Sequence, residues 1–240
     1  MSEVRYGCVT HPGLVRSGNE DSYFSDSELG LFIVADGMGG HAAGAVASGI
    51  AVREMARAMR SGESLSEAIE LAHREIEAAA SRGEGAVGMG STVVALRLIE
   101  RRYEIAWVGD SRAYLWNGEL RQLTKDHSYV QYLLDAGLIG PEEAADYPGR
   151  NVITQGLGVG GAEGDDVRVD WVTGELGFGE SLLLCSDGLS GEVPEKEIAS
   201  VLVETADPQT KVDRLIQAAL AAGGRDNITA ILVSQSLASG

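Results

Sequence analysis

Apolar positions fall into short runs separated by turn residues, and the spacing within each run predicts its element. Val4 to Thr10 and Gly30 to Asp36 read as strands. Within the second, Leu31-Phe32-Ile33-Val34-Ala35 is continuously apolar, which predicts burial on both faces. Residues 42–60 read as a helix with a face of small residues, able to pack close to its support. Ser64-Leu65-Ser66-Glu67 is a capping box, in which serine and glutamate satisfy each other's helix-start amides. Leu65, Ala68, Ile69, Ala72 and Ile76 then share one helical face.

From residue 91 the pattern changes to strands over Thr92 to Leu98, Tyr103 to Val108, Ala113 to Trp116 and Leu120 to Leu123. Arg101-Arg102, Gly109-Asp110 and Asn117-Gly118 separate them, and Asn-Gly is the strongest two-residue hairpin signal. Links this short require antiparallel pairing, because a parallel crossover needs about a dozen residues or more. Residues 127–150 predict one or two short helices within an insertion. After Asp165 to Val172 and the apolar strand Leu182 to Cys185, one helix starts at Pro194. A second has Asp207 as N-cap with Pro208 at its first position, and stops at Gly223-Gly224. Ile228 to Ser234 is the last strand. No repeat or Pro/Ser-rich linker divides the 240 residues, so one domain is expected over 1–240.

Charge narrows the function. Against 36 Asp+Glu there are 19 Lys+Arg, a formal net charge of -17, so the basic footprint of nucleic-acid or anionic-membrane binding is absent. The 44% hydrophobic content argues against disorder. No run approaches the ~18 apolar residues of a membrane span and the start has no signal-peptide core, so no membrane insertion is expected. Cys8 and Cys185 form no CxxC pair, which fits a reducing cytoplasm better than a disulfide or zinc framework.

The acids are not randomly placed. Val34-Ala35-Asp36-Gly37, Cys185-Ser186-Asp187-Gly188 and Arg225-Asp226-Asn227-Ile228 each set an Asp at the edge of an apolar β segment. Val108-Gly109-Asp110-Ser111 does the same, and Asn19-Glu20-Asp21 adds an acidic pair. For any one of them, favourable turn chemistry is the simpler explanation. Together they predict a different outcome, because strands of a sheet bring their ends to common edges. Two carboxylates ~5 Å apart at an effective dielectric of ~20 repel by about 3 kcal/mol, so a cluster needs cations. All-oxygen ligands select hard ions, Mg²⁺ or Mn²⁺, which lower the pKa of a bound water.

Arg16, four residues before Glu20, is a candidate to fork onto two phosphate oxygens, with a salt bridge to Glu20 as the ordinary alternative. His41, five residues after Asp36, is a candidate general acid, or merely a histidine near a helix start. His127 reads as a packing or helix-capping residue. Gly37-Met38-Gly39-Gly40-His41-Ala42 satisfies a dinucleotide fingerprint, but Asp36 would face the pyrophosphate and the sheet reads antiparallel. Gly109-Asp110-Ser111 suggests a serine nucleophile, yet no histidine follows His127 to serve it.

With these segments, and with Gly90-Ser91-Thr92, Leu123-Thr124-Lys125-Asp126-His127-Ser128 and Asp226-Asn227-Ile228-Thr229, the chain resembles the metal-dependent type 2C protein phosphatases in their bacterial form. The motifs occur in the family's order over nearly the whole chain. The resemblance implies an α+β fold, a central sandwich of two antiparallel sheets flanked by helix pairs in four αββα layers. It implies a hydrolase, a protein-serine/threonine phosphatase opposing a cognate Ser/Thr kinase, in which a metal-activated bridging water attacks phosphorus in line. Carried over by position, Asp36 is the bridging metal ligand, the Gly37 carbonyl serves one ion, and Asp187 and Asp226 serve the other. Asp110 with Asp187 corresponds to a weaker third site for Mn²⁺ or Mg²⁺. Glu20 and Asp21 would hold metal-bound waters and Arg16 the phosphate. The flap corresponds to about 127–150, and a cytoplasmic monomer acting on phosphorylated proteins is expected. Three positions depart from the pattern. Met38 stands where eukaryotic relatives carry His, which passes the general-acid role to His41. Tyr147-Pro148 stands where bacterial members usually have His-Pro, and Gly191 where an acid is common. The rival function is a catalytically silent member that binds phosphoproteins as a scaffold.

Overall fold

Every paired strand runs antiparallel to its neighbours in the structure, a computed structural model that describes residues 2–40, 43–145, 147–159 and 167–237. In chain order, β1 (Ser2–His11), β2 (Asp21–Asp26) and β3 (Leu31–Met38) lead into α1 (Ala43–Arg60) and α2 (Leu65–Ser81). Next come β4 (Gly90–Ser91), β5 (Val93–Ile99), β6 (Arg102–Val108), β7 (Arg112–Trp116) and β8 (Leu120–Gln122). The helices α3 (Tyr129–Asp135) and α4 (Pro141–Ala145) precede β9 (Asp170–Glu175) and β10 (Ser181–Cys185). Then α5 (Asp187–Ser190), α6 (Glu195–Leu202) and α7 (Pro208–Ala222) precede β11 (Ile228–Leu237).

One sheet has the order β1-β11-β10-β7-β8; the other has β2-β3-β5-β6-β9, with β4 paired to β3. Three apolar cores define four layers. Leu31, Ile33 and Ala35 of β3 face α1 and α2, where Ala47, Ala51, Ile69 and Ile76 pack. Phe32 and Val34 face the other sheet and meet Leu182, Leu184, Ile231 and Val233. Leu183 and Cys185 pack against Ile198, Leu215 and Ile216 of the remaining helices. This is the αββα sandwich, and the double-sided burial of β3 is why its sequence does not alternate.

The capping box at Ser64 and Glu67 is formed, as is the Asp207 cap, whose carboxylate accepts from Thr210 N. Asn117-Gly118 makes the β7–β8 turn with Gly118 at φ +102. Four features differ from the sequence pattern. Strand β2 carries only Tyr23 and Phe24 as apolar residues, and its pairing with β3 makes it a strand. The strand expected from Asp165 runs over Asp170–Glu175, and residues 160–166 lie outside the described residues. The helical turn α5 begins at Asp187 itself. Ser128, not His127, caps α3, its Oγ accepting from Gln131 N.

Candidate metal and phosphate site

Antiparallel pairing sets chain ends side by side. The C-terminal ends of β3 and β6 and the N-terminal end of β2 meet at one edge of their sheet. The C-terminal end of β10 and the N-terminal ends of β7 and β11 do so in the other. Asp36, Asp110, Asp187 and Asp226 occupy these ends, and all four line one cleft of ≈ 280 Å³ together with Arg16, Glu20 and Gly37. Asp21 does not line it. That residue is 7% exposed, and its Oδ2 accepts from Ser186 Oγ at 2.8 Å and Thr229 Oγ1 at 2.6 Å.

Close backbone approaches require glycine at two of these positions. A Cβ on Gly37 would run into the Gly44 carbonyl at the start of α1, and one on Gly188 into the carbonyl of Asn227. The first seats α1 on β3 beside Asp36; the second brings Asp187 against the entry to β11. Asp36 is held by its backbone, its carbonyl accepting from Thr92 N at 2.8 Å and Ser91 Oγ at 3.0 Å.

The carboxyls oppose one another electrostatically. Burial, then the charges of Asp21, Asp187, Asp110 and Asp226, push Asp36 well above the usual carboxylate range. Burial pushes Asp21 up to about 7 against the hydrogen bonds from Thr229 and Ser186, and Asp110 up to about 7 with help from Asp187 and Asp126. Asp187 is raised by burial and by Asp226, with a hydrogen bond from Asp36 acting against the rise. Arg16 Nη2 donates to Asp226 Oδ2 at 2.7 Å, and this contact raises the guanidinium pKa further. The ion pair that Arg16 makes is thus with Asp226, not with Glu20, the ordinary alternative to phosphate binding.

Among the described residues, no three Asp, Glu, His or Cys side chains form a ready-made ion cage. A protein partner engages one of the acids instead: Arg16 takes Asp226. The donors nevertheless fit hard divalent ions. All are oxygens, and two buried carboxylate oxygens, Asp21 Oδ1 and Asp187 Oδ1, have no hydrogen-bond partner. His41 lies outside the described residues.

Sequence reasoning missed Asn227 as an individual. Buried at 4% exposure, it accepts from Glu20 N at 2.7 Å and donates to Pro12 O at 2.9 Å and Gly18 O at 2.8 Å. It therefore pins the segment carrying Arg16 and Glu20 to the strand end carrying Asp226. The only available signal was its adjacency to Asp226.

Comparisons with known proteins identify the family. Residues 16–223 match the family model described as Protein phosphatase 2C. The serine/threonine phosphatase stp of Listeria innocua is 39% identical over 242 residues, covering 95% of this chain and 94% of the relative. The crystal structure of the Mycobacterium tuberculosis serine/threonine phosphatase PstP/Ppp superposes with TM-score 0.89 at 36% identity, covering 98% of this chain and 99% of that one. A structure of the PstP catalytic domain in complex with 2 manganese ions gives TM-score 0.87 at 35% identity, covering 99% of this chain and 100% of that one. The chain belongs to the protein phosphatase 2C family, the bacterial metal-dependent protein-serine/threonine phosphatases.

Proposed function

We propose that phosphoserine and phosphothreonine of protein substrates are hydrolysed at the cleft lined by Asp36, Asp110, Asp187 and Asp226, in opposition to a cognate Ser/Thr kinase. The observation that carries this reading is the pair of unpartnered buried carboxylate oxygens, Asp21 Oδ1 and Asp187 Oδ1, among acids that raise one another's pKa. Such a site is stable in its ionised form only with cations in it.

Asp36, the Gly37 carbonyl, Asp187 and Asp226 would hold two Mn²⁺ or Mg²⁺ ions, with Asp110 and Asp187 at a weaker third position. When bound, the ions supply positive charge to the phosphoryl oxygens and lower the pKa of a water for in-line attack on phosphorus. Arg16 would bind the phosphate. Its guanidinium is exposed at the rim, and a fork freed from Asp226 presents two parallel donors that lysine lacks. Glu20 and Asp21 would accept hydrogen bonds from water and keep it oriented. His41 is the proposed acid for the leaving alkoxide. Residues 127–150 would form a flap on a single domain over 1–240, and Asn151 and Ile153 at its return line the cleft. Free Cys8 and Cys185 fit a cytoplasmic setting, and a monomer suffices for the site.

The test is phosphate release from a phosphothreonine peptide with Mn²⁺, compared with EDTA and with Asp36→Asn and Asp187→Asn. Loss in all three is expected. Activity that survives EDTA and both substitutions would overturn the assignment. For His41→Ala, a rate that drops only on high-pKa leaving groups is expected, and an unchanged rate there removes it from the mechanism.

A further inference from the structure

Asp110 follows a residue whose backbone has no support of its own. Gly109 sits at φ +105, and a Cβ there would lie 2.6 Å from Thr92 Cγ2, so the position excludes any side chain that could brace it. The support comes from His127, whose backbone N–H donates to Gly109 O at 2.9 Å and whose Nδ1 lies 3.1 Å from Gly109 N. His127 is 8% exposed, and its ring stacks on Trp107 at 6.4 Å between centroids and 26° between planes.

Two contacts define the tautomer independently. Gly109 N–H can only donate, so Nδ1 must present its lone pair. Nε2 lies 3.3 Å from Asp170 Oδ2, on a carboxylate that already accepts from Arg168 Nε at 3.1 Å, so Nε2 carries the proton. Asp170 is in turn the register partner of Trp107, the residue under the ring. On its other side the His127 carbonyl accepts from Thr154 N at 2.7 Å, and Ser128 bridges Ile153. Ile153 lines the same cleft as Asp110.

We propose that His127 is a positioning residue. As the neutral Nε2–H tautomer fixed by Asp170, it holds the Gly109 amide through Nδ1, aims the Asp110 carboxylate into the cleft, and ties that ligand to the return of the flap. The proposal deepens the reading of Asp110 as the ligand of the weaker ion and rests on it for its consequence in metal binding.

The first measurement needs no substitution. Nitrogen-detected imidazole spectra of the metal-free protein at neutral pH should show His127 protonated at Nε2 and bare at Nδ1; the opposite tautomer overturns the proposal. The second uses a matched pair, because Asn places its oxygen near Nδ1 whereas Gln reaches toward Nε2. Manganese titration followed by calorimetry or spin resonance should leave the weakest site of His127→Asn within about twofold of the parent. The same site should weaken about 10–100-fold in His127→Gln, the usual cost of losing an outer partner of a ligand. The tighter sites should not move. Equal isotherms for the parent and His127→Gln overturn the proposal. Asp110→Asn is the control: if its isotherm equals the parent's, the third-ion reading fails by itself. Metal-free amide exchange at Gly109 then decides, with faster exchange in His127→Gln but not in His127→Asn expected and equal exchange overturning. If His127→Gln does not fold, the tautomer and the manganese isotherm of His127→Asn decide.

Discussion

Asp21 and Asp36 are direct partners in the β2–β3 ladder, two carboxyls set opposite each other across antiparallel strands. Like charges so placed destabilise a sheet, and here burial compounds the cost. Burial and mutual repulsion raise both carboxyls above the usual carboxylate range, which favours their protonated forms when no cation is present and gives the metal-free protein a characteristic response to pH.

Asp21 and Asp110 are both raised by burial to about 7. A carboxyl with a raised folded-state pKa contributes stability that is full below its unfolded value and is lost as pH rises through the folded value. Melting in EDTA should therefore fall as pH increases from about 5 to about 8. Saturating Mn²⁺ favours the ionised forms and should flatten or reverse that slope. Asp36→Asn removes the most opposed acid and should stabilise the EDTA form by about 1–3 kcal/mol while abolishing activity. Scanning calorimetry across this pH range, with and without metal, checks both; a metal-free Tm that rises with pH contradicts them.

Arg16 and Asp226 meet at 2.7 Å, but their side chains are 55% and 31% exposed. An ion pair this accessible is worth under about 1 kcal/mol, so Arg16→Ala should shift Tm little. Catalysis should respond far more. Losing the fork is expected to lower kcat/KM about 100-fold, mostly through KM, and Arg16→Lys to recover only part of it. Because Asp226 is then released, manganese affinity should hold or rise. Steady-state kinetics on one phosphopeptide, paired with manganese titration, separate this role from a purely structural one.

Two glycines give opposite expectations. Gly37→Ala drives a Cβ into the Gly44 carbonyl, so β3 and α1 must part, at a cost of about 1–3 kcal/mol or more and with loss of manganese binding. Gly49 lies within α1 with nothing near its would-be Cβ. Gly49→Ala should raise stability by about 0.5–1 kcal/mol with unchanged kinetics. Urea denaturation of both variants tests the pair.

The parts of this molecule legible in its sequence are those fixed by local pattern. The unbroken apolar runs Leu31–Ala35 and Leu182–Cys185 specify central strands buried on both faces, and each ends near an Asp that the sandwich then delivers to one cleft. Strand β2 was illegible because an edge strand can be recruited by its neighbour; Asp21-Ser22-Tyr23-Phe24-Ser25-Asp26 has too few apolar residues to announce itself. The ion-pair partner of Arg16 was hidden from the sequence for a related reason. Glu20 is close in sequence, but Asp226 is brought close by β11 pairing with β1. His127 could be read as a packing residue, yet its grip on Gly109 depends on a tautomer that only its folded contacts with Gly109 and Asp170 reveal.

Asn227 is the clearest case of a site residue defined by long-range contacts, and it yields the most discriminating substitution pair. Its amide satisfies three backbone groups in the 12–20 segment, so Asn227→Ala leaves those groups unpaired and should cost about 2–4 kcal/mol. Asn227→Asp keeps the acceptor for Glu20 N but turns a carboxylate toward the Pro12 and Gly18 carbonyls, next to Asp226. It should therefore destabilise at least as much as Ala at neutral pH and regain stability on acidification, when a protonated carboxyl can donate once more. Both variants loosen the segment holding Arg16 and Glu20, so kcat/KM should fall further than Arg16→Ala alone. In an Arg16→Ala background the added loss from Asn227→Ala should shrink. A double-mutant cycle in kcat/KM measures that coupling, and strict additivity would separate Asn227 from phosphate binding.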